Sequence, residues 1–336
     1  MERKKVLVTG ASGTVGYEVL KQLIKNENYE VFAFDLKTGE SSKRLATLSN
    51  KVTTIYGNIS VPEDLQKLPE NLDAVIHLAA IIPPLADEQP ELATSVNVKG
   101  TQLLIKQLEK TSPDVFLIYS SSISVYGDRL KTPFIKVEDP LTPSMGDEYA
   151  ITKIKGESLI KESAIDYTIF RLTAIMGNHK MSKLMFHQSL DTSLEIATPR
   201  DTARAFVNAI KKQKVLSKKT YNLGGGKDCR ISYRDFLKRS FHLYGLGEVD
   251  FPKGAFATKN FHCGFYADGD ELENLVHFRR DTLDDYFEME EKKLSKFKKL
   301  GATLFKRPIK FFLLKQSEPY KALKENNKSM QAQFFE

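Results

Sequence analysis

Short apolar runs alternate with amphipathic stretches from the first residues of the chain onward. Lys5–Thr9, Val31–Asp35, Val52–Tyr56, Ala74–His77, Val115–Ser120 and Tyr167–Arg171 have the length and the Val, Ile and Phe content of buried strands. Between them, Val15–Lys25, Leu92–Lys110 and Tyr149–Glu162 repeat apolar residues at three- and four-residue spacing, which predicts helices. Strand, helix and strand in succession require crossover connections, and these give a parallel sheet covered by helices on both faces. The expected fold class is α/β, a doubly wound parallel sheet with a smaller, mainly helical C-terminal lobe.

Near Met176 the rhythm breaks into a polar segment, then returns with a helix predicted over Asp201–Lys212 and a strand over Thr220–Leu223, before stopping at Gly224-Gly225-Gly226. From Ile231 to about Leu300 the pattern is mostly helical, with Phe- and Gly-containing loops around Phe251–Gly269. The expected division is a sheet domain from 1–175 and 199–225, a substrate lobe from 176–198 and 226–300, and a basic tail from 301–336. No internal repeat interrupts this order.

Composition narrows the class. The 336 residues include 41% hydrophobic side chains, enough for a packed core. Cys229 and Cys263 lie far apart and in no metal-ligand spacing, which argues against a disulfide scaffold or a cysteine-based zinc site and fits a reducing compartment. The charged start, Met1 to Lys5, runs directly into a short strand and lacks the roughly 7–15 apolar residues of a secretory signal. No run approaches the ~18 apolar residues of a membrane span. A cytoplasmic location is expected. The net charge of +7 is concentrated at one end: residues 292–336 carry +9 and the remainder −2. A nearly neutral body is not the spread basic face of a nucleic-acid enzyme, so no nucleic-acid partner is expected.

Thr9-Gly10-Ala11-Ser12-Gly13-Thr14-Val15-Gly16 follows a strand and opens a helix. In that context Gly10 permits a tight turn, Gly13 removes the side chain that would block a pyrophosphate, and Gly16 lets helix and strand pack closely. The helix start, at Thr14 and Val15, supplies amide donors and the positive end of its dipole. Nineteen residues after Gly16, at the end of the second strand, stands Asp35, whose carboxylate can accept from both ribose hydroxyls of an adenosine. A carboxylate there repels a 2′-phosphate and favours NAD over NADP, a preference that Lys37, Lys43 and Arg44 weaken. NAD is the expected cofactor of this Rossmann-type unit.

Tyr149 and Lys153 place a phenol and an ammonium at i and i+4 on one helical face. Tyr17 with Lys21 and Tyr320 with Lys324 satisfy the same spacing, so spacing alone does not choose. Position does: Tyr149 lies after the fifth strand, 27 residues beyond Ser122, where an apolar strand emerges into Tyr119-Ser120-Ser121-Ser122. Ligands of open α/β sheets bind outside the carboxyl ends of strands.

The set Thr9–Gly16, His77-Leu78-Ala79-Ala80, Asn97-Val98-Lys99-Gly100-Thr101, Ser120-Ser121-Ser122 followed by Val125-Tyr126-Gly127, and Tyr149 with Lys153 resembles the extended short-chain dehydrogenase/reductases. Within them it is similar to the NAD-dependent epimerase/dehydratase family, over about residues 4–225. The resemblance implies a catalytic triad of Ser122, Tyr149 and Lys153. It also implies cofactor contacts from Asn58 and Ile59 at the adenine, with Asn where Asp is usual, from Leu78 and Ala79 in the cleft, and from Asn97, which supports the site.

The chemistry explains these residue types. A tyrosine of pKa ~10 is a poor base at neutral pH, and lowering it by about three units needs about 4 kcal/mol of preferential stabilisation of the phenolate. One ammonium at ~4 Å supplies about that much at an effective dielectric of 20. Tyr149 would take the hydroxyl proton as hydride leaves carbon, and Ser122 would hold the developing carbonyl oxygen.

Substrate determinants are sparser. Pro133, Pro140 and Pro143 mark a connecting loop, and only 29 residues separate Arg171 from Asp201, without the Asn- and Leu-rich segment with which nucleotide-sugar enzymes grip a diphosphate. Ile81-Ile82-Pro83-Pro84-Leu85 is apolar. Asp147 and Glu148 point to other helical faces than Tyr149 and read as N-terminal helix charges, which favours redox cycling or alcohol oxidation over dehydration. The expectation is hydride transfer at a secondary alcohol or ketone, with a nucleotide sugar among the candidates. The alternatives are a hydroxysteroid- or flavonol-type dehydrogenase/reductase on an apolar alcohol, and a non-catalytic dinucleotide-sensing regulator. No metal site is expected from His77, His179 and His187. The basic, aromatic tail has two readings, a helix docked by its apolar side or a peripheral contact with an anionic membrane or partner. A homodimer is expected.

Overall fold

The computed structural model describes residues 3–177 and 181–335; His179 lies outside them. Seven parallel strands form the central sheet: β1 Lys4–Thr9, β2 Tyr29–Asp35, β3 Val52–Tyr56, β4 Ala74–His77, β5 Phe116–Ser122, β6 Asp166–Leu172 and β7 Lys219–Leu223. Their order is β7-β6-β5-β4-β1-β2-β3, so the chain winds outward from β1 first to one side and then to the other. The inner strands are buried on both faces, as parallel strands under crossover helices must be, while the edge strand β3 is only partly covered. Val6, Val8, Ile76, Ile118 and Phe170 pack on one side and Leu7, Val75, Leu117, Tyr119 and Ile169 on the other.

The helices on these faces include α1 Thr14–Leu23, α2 Gly39–Ala46, α3 Thr101–Thr111, α4 Glu148–Glu162 and α5 Pro199–Ala209. The single helix predicted over Leu92–Lys110 is divided. A turn at Pro90–Ala93 leads into a π-helical stretch, Thr94–Gly100, before α3 begins. Asn97, inside that stretch, is buried and turned toward backbone groups of the loop after β4 instead of forming part of a uniform helix face. Such widened turns are frequent at functional sites.

A second core gathers Met185, Phe186, Leu194, Ile196, Tyr233, Phe236, Phe241, Tyr286 and Phe287. It is built on α6 Tyr233–Leu243, α7 Leu283–Lys293 and a small sheet joining Ala174–Ile175, Ser193–Ala197 and Arg230–Ser232. The basic tail is folded into four further helices, Lys296–Leu304, Lys306–Leu314, Glu318–Lys324 and Lys328–Phe334. Leu313 and Phe334 are buried, and Ser317 closes the seam by donating to Ala255 O at 2.6 Å.

Candidate active site

Because all seven strands run in parallel, their carboxyl ends share one edge, and every segment singled out in the N-terminal half leaves the sheet there. The glycine turn follows β1. Gly10 has φ +64°, and a Cβ on it would lie 2.7 Å from Ala79 N; a Cβ on Gly16 would lie 2.3 Å from Gly10 O. These positions require glycine to let the β1 turn, the loop after β4 and α1 approach one another. Gly13 caps α1 without any side-chain acceptor, and neither Thr14 nor Val15 nor any other first-turn residue is acidic. The orphan amides of that helix start, and its positive end, are left for an anion.

Asp35, at the end of β2, accepts from Ser12 N at 2.6 Å and from Leu36 N at 2.8 Å. An ionised carboxylate has about four lone-pair sites, so acceptor capacity is left over. Arg44 of α2 lies against the same turn, donating to Ser12 O at 2.9 Å with its guanidinium 4.4 Å from the Tyr17 ring centre. Asn58 and Ile59 follow β3. Asn58 Oδ1 accepts from Ser60, and Ile59 is buried against Gly100, where a Cβ would come within 2.7 Å of it. The glycine cradle, the uncapped helix start and the acidic strand end fit a dinucleotide.

A second set of contacts links this turn to α4. Ala79 N donates to Thr9 Oγ1 at 3.3 Å, Thr9 lies 2.7 Å from His77 Nδ1, and His77 Nε2 lies 2.9 Å from Thr101 Oγ1, which donates to Asn97 O. Because Thr101 gives its proton to Asn97 O, it accepts from His77 Nε2, and a neutral His77 then accepts at Nδ1 from Thr9. Burial and the nearby Lys153 hold its pKa down, at about 3. His77 is thus a buried hydrogen-bonding strut. Asn97 clamps Ile81 through Oδ1 and Nδ2, at 2.7 and 2.9 Å, and donates to Thr152 Oγ1 at 2.9 Å. Leu78 and Ala79 are held between these two anchors.

Ser122, Tyr149 and Lys153 converge beyond Thr152. Ser122 is almost fully buried and accepts from Ser124 N at 3.2 Å and from Ser124 Oγ at 3.0 Å, and its hydroxyl lies close enough to the Tyr149 phenol to act on that group's proton affinity. Lys153, 2% exposed, donates to Ser120 O at 2.7 Å and lies 5.6 Å from the Tyr149 ring centre. The electrostatics differ from the simple expectation of an ammonium lowering a phenol. Burial drives the Tyr149 pKa well above the ordinary tyrosine range, Asp147 and Asp87 add to the rise, and the Ser122 hydrogen bond opposes it. Burial likewise pulls Lys153 down to about 7, against the pull of Glu157. Both charged forms are disfavoured here, and a further positive charge would favour the phenolate while disfavouring the ammonium.

Glu157, one turn beyond Lys153, is part of a buried network. Arg171 grips both its oxygens at 2.9 and 2.8 Å, Ser121 donates to it at 2.6 Å, and Arg171 also donates to the Tyr126 hydroxyl at 2.7 Å. Tyr149, Lys153 and Glu157 recur at every fourth position of α4, a signal present in the sequence. Asp147 is the N-cap of α4, accepting from Ala150 N at 2.8 Å, and its second oxygen lies 2.8 Å from His262 Nδ1. Asp87 accepts from Tyr149 N at 3.3 Å. Asp87, Asp147 and His262 line an open pocket near the start of α4, with Met145, Leu184, His187, Phe261 and the tail residues Gln333 and Phe334. No sequence signal pairs Asp147 with His262, since they lie on unrelated segments. Likewise, nothing in the sequence places the chain's end at the pocket.

Comparison with known proteins places this geometry in a family. Residues 6–224 match the NAD dependent epimerase/dehydratase family. An uncharacterized UDP-glucose epimerase, YtcB, of Bacillus subtilis is 30% identical over 207 residues, covering 57% of this chain and 63% of its own. The D-erythronate dehydrogenase of Haemophilus influenzae is 27% identical over 175 residues, covering 51% and 55%. The chain thus spans between about half and two thirds of the length of these relatives. Among solved structures, UDP-glucuronic acid 4-epimerase from Bacillus cereus, in complex with UDP-glucuronic acid and NAD, superposes with a TM-score of 0.71 at 22% identity, over 86% of this chain and 98% of that one. A dTDP-glucose 4,6-dehydratase from Bacillus anthracis in complex with NAD gives 0.70 at 18% identity, over 86% and 96%. The fold is that of the extended short-chain dehydrogenase/reductases, and the chain belongs to the NAD dependent epimerase/dehydratase family.

Proposed function

We propose that this protein is an NAD-dependent oxidoreductase of the epimerase/dehydratase type, working by hydride transfer at a secondary alcohol or ketone. The observation that carries the reading is the convergence of Ser122, Tyr149 and buried Lys153 at the sheet edge that also bears the glycine turn and Asp35. The turn Gly10–Gly16 would take the pyrophosphate, Asp35 the adenosine ribose, Asn58 and Ile59 the adenine side, and Leu78, Ala79 and Asn97 the cleft wall. Bound NAD supplies the hydride acceptor and, when oxidised, a positive charge. Tyr149 then takes the substrate's hydroxyl proton through its phenol oxygen, and Ser122 donates to the same substrate oxygen. Lys153, tethered to Ser120 O, favours the phenolate whenever it is protonated. Reduction runs the same proton path backward.

Residues 176–198 and 226–300 serve as the substrate lobe on the sheet domain formed by 1–175 and 199–225, with the tail helices completing its pocket. A nucleotide sugar is the finer reading; it rests on the B. cereus and B. anthracis structures named above. Apolar lining from Met145, Leu184, Phe261 and Phe334 supports a second reading, an apolar secondary alcohol. Incubation with NAD and a panel of UDP- and dTDP-sugars, sugar acids and apolar alcohols, followed by NADH absorbance and product stereochemistry, separates them. A chain that binds NAD but turns over nothing in the panel contradicts the oxidoreductase reading.

The adenosine end gives an independent check. Asp35→Ala removes charged hydrogen bonds of about 1.5–3 kcal/mol, so NAD affinity should fall roughly tenfold to hundredfold while NADP, relieved of repulsion beside Arg44, falls far less. Fluorescence titration with both dinucleotides measures this. Equal losses would remove Asp35 from the ribose site.

A further inference from the structure

Of the fourteen large apolar side chains exposed among the described residues, six lie within residues 297–312: Phe297, Leu300, Leu304, Phe305, Phe311 and Phe312, from 56% to 87% exposed. They belong to the helices Lys296–Leu304 and Lys306–Leu314, joined at Phe305. On the inner side of this kinked segment Ala302, Ile309 and Leu313 pack on the second core. Phe297, Leu300 and Leu304 share the outer face of the first helix at i, i+3 and i+7. The segment is therefore apolar on the face the protein buries and apolar again on the face it presents. A surface helix needs only the first of these.

The segment is also tied to the body of the protein. Lys310 donates to Glu248 O at 2.7 Å and pairs with Asp250. Gly245, at φ +79°, lets it approach so closely that a Cβ there would lie 2.8 Å from Lys299 O. The outer apolar side chains are consequently displayed on a fixed platform. Around them, residues 292–315 contain nine Lys or Arg and no Asp or Glu. Lys315 sits 4.6 and 5.6 Å from the Phe311 and Phe312 ring centres.

We propose that this kinked helical segment docks the protein on the surface of an anionic lipid bilayer. Charge complementarity selects that occupant. A second copy related by a two-fold axis would set the surplus positive charge of one segment against that of the other, because such an interface is self-complementary. A nucleic acid would satisfy the lysines and leave six large apolar side chains without a partner. An anionic bilayer interface satisfies both, with aromatic and leucine side chains at the acyl boundary and lysines among the headgroups. The contact is peripheral; among the described residues no helix is long and apolar enough to cross a membrane.

Cosedimentation of the full chain with vesicles of phosphatidylcholine alone, or mixed with phosphatidylglycerol, tests the surface. Partitioning should be about tenfold or more stronger on the anionic vesicles and should weaken as salt is raised. The variant Phe297→Ser/Phe305→Ser/Phe312→Ser should lose binding about tenfold, and Lys298→Gln/Lys306→Gln/Arg307→Gln should lose the preference for the anionic lipid, both with unchanged melting temperature. All six positions are exposed, so folding is not the variable. Wild-type protein remaining in the supernatant, equal binding to both vesicles, or variants that bind like the wild type would overturn the proposal. So would dimerisation or capture of an acidic peptide, if abolished by the Phe variant without any vesicle binding.

Discussion

Tyr149 with Lys153 and Tyr17 with Lys21 are the same pair of residues at the same spacing, each near the start of a helix packed on the same sheet. Their surroundings have nothing else in common. Lys153 is 2% exposed and donates to a buried carbonyl, whereas the Lys21 side chain is 45% exposed and pairs with Glu18 on its own helix at 2.7 Å. The Tyr149 phenol meets Ser122 at a strand end; the Tyr17 hydroxyl meets Thr47 2.8 Å away on the surface. Tyr320 and Lys324, in the tail, repeat the exposed arrangement. A helical i, i+4 spacing sets only direction. What gives the pair chemical meaning is burial at the carboxyl edge of the sheet, where proton affinities can be moved far from their ordinary values.

The largest separation between the two pairs is expected in catalysis. Tyr149→Phe keeps the ring and deletes the oxygen proposed to transfer the proton, so turnover should fall by roughly 10²–10⁴-fold while NAD binding, read by fluorescence titration, is retained. Tyr17→Phe loses one exposed hydrogen bond and should keep turnover within about twofold. If both variants lose activity alike, the α1 pair belongs to the machinery and the contrast collapses.

Most of the N-terminal half could be read from sequence because its signals are local. The glycine turn needs three glycines within one segment, Asp35 ends a recognisable strand, and Ser122 closes an apolar run. The seven strands were legible for a similar reason, since the pattern of each is carried by its own few consecutive residues. Harder to foresee were features made by distant segments. The division of Leu92–Lys110 at Asn97 depends on the loop after β4 that Asn97 clamps. The pairing of His262 with Asp147 depends on how the second lobe sits over α4. The tail reads as one basic stretch, yet it folds into four helices whose last, Lys328–Phe334, reaches the pocket near the start of α4. Thr258 N donates to Phe334 O at 2.8 Å there, a contact that no periodicity announces.

Stability against pH sharpens the comparison with a smaller effect. Burial lowers Lys153 from its ordinary 10.5 to about 7. Below pH 7 both the folded and the unfolded chain hold its proton, and the folded state bears the full desolvation penalty. Between about pH 7 and 10.5 the unfolded chain holds a proton that the folded chain has released. Stability therefore rises with pH across that window, by an amount on the order of a few kcal/mol for a complete shift of this kind. Lys153→Met removes the titration. The difference in unfolding free energy between wild type and this variant, from denaturant titrations at pH 7 and pH 9, should move in favour of the wild type as pH rises. A constant difference would mean that Lys153 titrates normally. Turnover of Lys153→Met should fall as well.

The smallest effect belongs to Lys21→Met. Its ammonium is largely in water, and its ion pair with Glu18 is an i, i+3 surface contact, worth about 0.2–0.5 kcal/mol. The lysine also lies 5.7 Å from the Tyr17 ring centre, an exposed cation–π contact of similar modest size. Methionine keeps most of the aliphatic stem and is as good a helix former. Unfolding free energy should therefore change by no more than about 0.5 kcal/mol, and turnover should be unaltered. A loss of turnover at Lys21 as large as that expected at Lys153 would show that spacing matters more than burial, since these two lysines share their helical spacing to a tyrosine and differ in exposure.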